Sequence, residues 1–153
     1  MRESLRNWGY IDNPLCPSCL RVESIDHCFR ACPRVNAVWV FFLPWLSLLL
    51  AQPFPLCGAS IFFFQLSFRN DKSRRLILFV VKSILYGIWR FRNKAVFHNG
   101  KEDSRAIIKY IVFDIKNKIR LDHHRFSPNK FRSMWCHPAL CDFHHDDNLI
   151  FKF

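Results

Sequence analysis

The chain of 153 residues is half hydrophobic and 16% aromatic, with 17 Phe and 5 Trp, which excludes a disordered polymer and is enough to bury a core. Its 23 Lys and Arg outweigh 12 Asp and Glu, for a formal net charge of +11. That excess favours a polyanionic partner, nucleic acid before membrane, because each cation that meets a phosphate releases condensed counterions.

In chain order, the first stretch, MRESLRNWGYIDNPLC, has no apolar run of the kind a secretory signal needs. The expectation is an intracellular protein, in nucleus or cytoplasm, with reduced thiols. Seven cysteines, an odd number, also fit a fully paired disulfide framework badly. Cys16-Pro17-Ser18-Cys19 then offers two thiols across a tight turn suited to its Pro and Ser. His27 follows, and Cys32 after it, giving C-x2-C-x7-H-x4-C. Zn²⁺ takes four such ligands in a tetrahedron, with pairs at about this spacing. Four protein ligands leave no open position for water, so the site would be structural and its binding energy would fold the segment. Spacing leaves the third ligand open between His27 and Cys28. On an unbroken helix Cys28 and Cys32 would share a face, whereas His27 and Cys32 would not. Pro33, however, pushes Cys32 out of the helical region, so the turn ends before it and His27 comes within reach.

Pro33 suits the first position of a helix. Val35, Val38, Trp39 and Phe42 recur at i, i+3, i+4 and i+7, one apolar face, until Pro44 ends or kinks the helix. The apolar pieces Ala37 to Ala51 and Leu76 to Trp89 are too short or too interrupted to span a bilayer and read as core. A second helix is expected after Asp71, through RRLILFVVKSILYGIWRFRN, apolar almost all round and therefore buried. A third starts at Ser104 as N-cap, with Ile108, Ile111, Ile115 and Ile119 as its stripe. Arg105, Lys109, Lys116, Lys118 and Arg120 would give that helix a basic surface able to touch phosphates. Cys136, His137, Cys141, His144, His145, Asp146 and Asp147 near the end are chemically suited to a metal, but their spacing follows no metal-site pattern.

Two stretches together resemble a family. Glu23-Ser24-Ile25-Asp26-His27, then Cys32-Pro33, then Trp39, resemble the zinc-binding domain found downstream of the reverse transcriptase in plant LINE-type (non-LTR) retroelements. There the pattern reads C-x2-C, E-T-x-x-H-x-x-x-x-C-P and a Trp about seven residues on. Ile88-Trp89-Arg90-Phe91-Arg92-Asn93, with Phe97 behind it, resembles the I-W-x-x-R-N-x-x-x-F element that joins this domain to an RNase H-like domain. The resemblance covers roughly residues 4–125. It implies Cys16, Cys19, His27 and Cys32 as the zinc ligands, with Cys28 at a position usually apolar. Ser24 stands where the family has Thr, and little of the family's domain precedes the Cys pair. The reverse transcriptase with its paired aspartates is missing. Asp142, Asp146 and Asp147 lie in a tail too short to build an RNase H site, so the chain resembles a fragment or domesticated remnant.

The resulting expectation is a mainly α protein. A zinc-nucleated module spans residues 1–45, an apolar and basic helical region 46–126, and a flexible tail 127–153. No nucleophile or carboxylate set supports catalysis. The expected function is a non-catalytic zinc module that binds RNA or DNA. The alternative is a structural or protein-interaction module that uses the apolar 35–70 region and makes no nucleic-acid contact.

Overall fold

The computed structural model describes residues 2–50, 53–54, 72–98, 100, 103–123, 141–143 and 149–151. The protein is mainly helical, as expected. A short helix α1 (Arg2–Asn7) leads into a loop, and a single π-helical turn (His27–Ala31) precedes α2 (Pro33–Leu50). Two long helices follow, α3 (Lys72–Phe97) and α4 (Ser104–His123). Two three-residue strands, β1 (Cys141–Phe143) and β2 (Leu149–Phe151), pair antiparallel with Asp142 opposite Ile150. These strands fall inside the stretch expected to be tail; the rest of that stretch, including most of its His and Cys residues, lies outside the described residues.

Helices α2, α3 and α4 each pack against the other two around one core. On α2 the predicted face is the buried one: Val35, Val38, Trp39 and Phe42, extended by Trp45 and Leu46. Pro44 does not end the helix, which runs on to Leu50. Proline removes one N–H, so the carbonyl of Val40 loses its partner in the helix. Val40 and Pro44 are both on the exposed side, where water can replace that bond. Burial of Trp45 and Leu46 beyond the proline, about 1.5–3 kcal/mol for an aliphatic side chain, favours continuing the helix.

Helix α3 corrects the expectation of a helix buried all round. Ile77, Val80, Val81, Ile84 and Ile88 are buried on one side, while Lys82, Tyr86, Trp89 and Phe97 face solvent. The run is apolar in composition but carries aromatics on its outer face. At Gly87 the α3 backbone comes so close to α4 that an added Cβ would sit 2.7 Å from Ile111 Cγ1. Ser83, also buried, donates to Asp114 Oδ2 at 2.7 Å, a polar link between the same helices.

The start of α4 differs by one residue from expectation. Asp103 is the cap: its carboxylate accepts from the Ala106 N–H at 2.9 Å. Ser104 is instead the first helical residue, and its hydroxyl donates to the Arg34 carbonyl at 3.1 Å, tying α4 to α2. Ile107, Ile111 and Ile115 form the buried stripe with Ile108 packed beside them; the side chain of Ile119 lies outside the described residues. No helix among the described residues is long and apolar enough to cross a membrane.

Candidate metal centre

The loop between α1 and the π-helical turn folds back on itself to present Cys16 and Cys19. Leu15 bridges Val22 antiparallel, and the Cys16 N–H donates to the Arg21 carbonyl at 2.7 Å. The chain closes on itself at Leu20, which donates to the Cys16 carbonyl and takes a left-handed φ of 61°, uncommon for a branched side chain. This turn leaves the Ser18 N–H pointing at Cys16 Sγ, 3.4 Å away, a donor that favours a thiolate there.

The other two side chains come from the π-helical turn and its exit. Ser24 Oγ accepts from the His27 N–H at 3.0 Å and so caps the turn. Asp26 and Arg30 brace its outer face with two contacts of 2.7 Å. The Cys32 N–H then donates to the His27 carbonyl at 3.0 Å, five residues back rather than four. In an α-helix, residues five apart point about 140° away from each other. The wider turn brings i and i+5 toward the same side, and so aims both His27 and Cys32 inward. Cys32 itself is extended, with ψ of 132°, as its place before Pro33 requires.

The outcome is a compact set. The donor atoms of Cys16, Cys19, His27 and Cys32 all lie within 4.8 Å of one another and could hold a metal ion. Cys16 and Cys32 sulfurs are 4.0 Å apart, Cys19 and Cys32 sulfurs 3.9 Å, and His27 Nε2 is 3.1 Å from Cys19 Sγ. A disulfide needs sulfurs at about 2.05 Å, so these separations do not describe one. A tetrahedron with metal–sulfur bonds of about 2.3 Å has sulfur–sulfur edges of about 3.8 Å. The two sulfur–sulfur edges are close to that figure, while the 3.1 Å from His27 Nε2 to Cys19 Sγ is shorter than the corresponding nitrogen–sulfur edge of about 3.6 Å. Cys16, Cys32 and His27 are buried, and Cys19 is half-buried.

Electrostatics separate the ligand set from its neighbour. Hydrogen bonding from Cys32 holds the Cys16 thiol down at about 4, against burial, while the same contact together with burial raises Cys32. The pair already favours one thiolate, which suits a cation. Cys28 is the opposite case. Burial first, then the charge of Glu23, pushes its thiol up to about 12, so it stays protonated. Of the two residues that spacing left open, His27 lies in the cluster and Cys28 does not.

The site is also fastened from outside. Glu23 is fully buried, and Arg92 of α3 reaches it with a contact of 2.6 Å from Nη2 and two longer ones from Nε. The backbone N–H of Arg2 donates to the same carboxylate at 3.3 Å. Trp39 of α2 donates from Nε1 to the Phe29 carbonyl in the π-helical turn at 2.7 Å. Glu23, Ser24, His27, Cys32, Trp39 and Arg92, which sequence showed only as scattered letters of two motifs, are thus parts of one assembly. The sequence did not reveal that Glu23 and Arg92 pair; two opposite charges 69 residues apart give no local pattern.

The basic residues of α4 are less concentrated. Arg105 and Lys109 are exposed one turn apart, and Lys116 falls on the same side at i+11 from Arg105 but is half-buried. Lys118 is half-buried and lies by periodicity on the side of Ile111 and Ile115. The side chain of Arg120 lies outside the described residues. In the described part of the apolar 35–70 region, Val35, Val38, Trp39, Phe42, Trp45, Leu46 and Phe54 are turned into the core, while Val40 is exposed.

Comparison with family models, curated proteins and solved structures finds no match to this chain. Fold and site define its class: a mainly helical protein that carries a Cys₃His cluster at its N-terminal end, fastened to α3 by an ion pair whose carboxylate is buried.

Proposed function

We propose that the chain is a non-catalytic zinc module of the plant LINE retroelement type that binds RNA or DNA. The observation that carries the metal half is the convergence of the Cys16, Cys19, His27 and Cys32 donor atoms within 4.8 Å of one another. Three thiols and one imidazole are a donor set that zinc prefers, and a full set of protein ligands has a structural rather than a hydrolytic use. When bound, zinc would hold the Cys16–Cys19 turn against the π-helical turn. The retroelement reading is supported by the way its two motifs meet, Glu23 of one pairing with Arg92 of the other. The nucleic-acid half rests on the net charge of +11 and on the exposed Arg105 and Lys109.

Two measurements test this. Purified chain should contain one zinc, kept in Cys28→Ser and lost in Cys16→Ser or Cys32→Ser; loss in Cys28→Ser with retention in Cys32→Ser would sink the ligand assignment. Binding to nucleic acid should weaken steeply with salt, by about 0.7–0.9 in log K per log salt for each phosphate contact. Binding insensitive to salt, or none at low salt, would remove the nucleic-acid half.

A further inference from the structure

Beyond Ile88, α3 presents a second surface, which adjoins Arg92 through Asn93, whose side-chain oxygen accepts from Arg92 Nη1 at 3.0 Å. A groove of about 440 Å³ opens there between α3 and α4, lined by Trp89, Arg90, Phe91, Lys94, Phe97 and Tyr110 among others. That volume is in the range of small-ligand sites. Its chemistry is one-sided: Arg90, Lys94 and His98 contribute cationic or titratable nitrogen, and no carboxylate is among the described lining residues. Its aromatic faces are partly wet, with Trp89 43% and Phe97 72% exposed. Isolated exposed aromatics need no explanation, but here they flank cations in a concave surface.

The walls are also held in place. Arg90 lies over the Tyr110 ring at 4.7 Å from its centroid and donates from Nη1 to the Tyr110 hydroxyl at 2.9 Å. Phe91 meets the same ring edge-on at 5.7 Å, and Trp89 stacks on Tyr86 at 5.7 Å. Tyr110 uses one of five guanidinium N–H donors, which leaves Arg90 capacity for an anion. Aromatic faces set among cations are what a single strand requires: bases stack on the rings and phosphates meet the charges. A duplex keeps its base faces covered and could use only the charges.

We infer that this groove seats an unpaired base of single-stranded nucleic acid, stacked on Trp89 or Phe97, with Arg90 and Lys94 meeting the adjoining phosphates. The inference rests on the nucleic-acid reading above and narrows it to a site and a strand state.

The test uses the zinc-loaded full chain and labelled oligo-uridine and oligo-thymidine of about 12 nucleotides, a length within the site sizes of such grooves. Fluorescence anisotropy gives affinities, with a duplex of equal length as the second arm. Trp89→Ala and Phe97→Ala should each weaken single-strand binding about 5- to 150-fold and leave duplex binding unchanged. Arg90→Gln with Lys94→Gln should lower the salt slope by about 0.7 per contact removed. Both aromatics are exposed enough to be removed without opening the core; retained zinc and helical circular dichroism verify that, and Phe97→Ala carries the test if Trp89→Ala does not fold. Single-strand affinity unmoved by the aromatic variants overturns the groove while nucleic-acid binding stands. Absence of binding to either strand state in the parent chain removes both.

Discussion

A carboxylate with no surface in water is costly unless something answers its charge, and Glu23 is answered by Arg92, itself only 15% exposed in its side chain. Removing one member of such a pair is far more damaging than never having had it. Arg92→Met should therefore cost about 3–5 kcal/mol in urea unfolding with zinc in excess, because Glu23 is left buried and alone. Glu23→Gln combined with Arg92→Met should recover most of that loss; a double variant no more stable than Arg92→Met would show that the pair contributes through shape, not charge. At this scale the sequence was informative about atoms that bond metals and silent about the atoms that hold them. The thiols and the imidazole of the site are rare, chemically marked residues at a recognisable spacing. Glu23 and Arg92 are two of 35 charged residues, and only folding pairs them.

Among the elements, α2, α3 and α4 were readable because each repeats apolar residues at helical spacing, and helical spacing is what their packing uses. The misreadings have physical causes. Composition alone made α3 look buried all round, since Tyr, Trp and Phe count as apolar wherever they point. Pro44 was expected to end or kink α2; the helix does not end there, because the residue whose carbonyl it orphans, Val40, is on the exposed side. Most consequential, the π-helical turn has no sequence signature, yet it is what brings His27 and Cys32 together. Gly87 is a quieter element-scale feature: with Ile111 fully buried behind it, a methyl group has nowhere to go. Gly87→Ala should gain up to about 1 kcal/mol of helix propensity and lose about 1–3 kcal/mol to overpacking. The net result expected is a lower melting temperature, and a rise would mean that α3 and α4 can separate at little cost.

Taken whole, the molecule has an uneven distribution of apolar burial. Cys16 is the only buried hydrophobic residue among residues 2–26, while α2, α3 and α4 share a continuous core. The N-terminal segment is therefore held by the cluster, by Glu23 and by a few backbone bonds. Chelation of zinc should release residues 2–32 to proteolysis while most of the helical circular dichroism persists, because structural zinc supplies folding energy on the order of 10 kcal/mol locally. Limited digestion with mass mapping checks this, and loss of all helical signal in one step would show a single cooperative unit instead. The sign with pH follows from the ligands: coordination needs thiolates, so zinc release should become easier as pH falls.

The ion pair that joins the cysteine loop to α3 also sets how this unit can be inherited. A gene segment ending at residue 45 would encode all four residues of the Cys₃His cluster but would deliver a carboxylate with nowhere to place its charge. Shuffling, truncation or grafting must carry Arg92 along. The smallest portable version of the cluster therefore runs from α1 to the end of α3, well past Cys32.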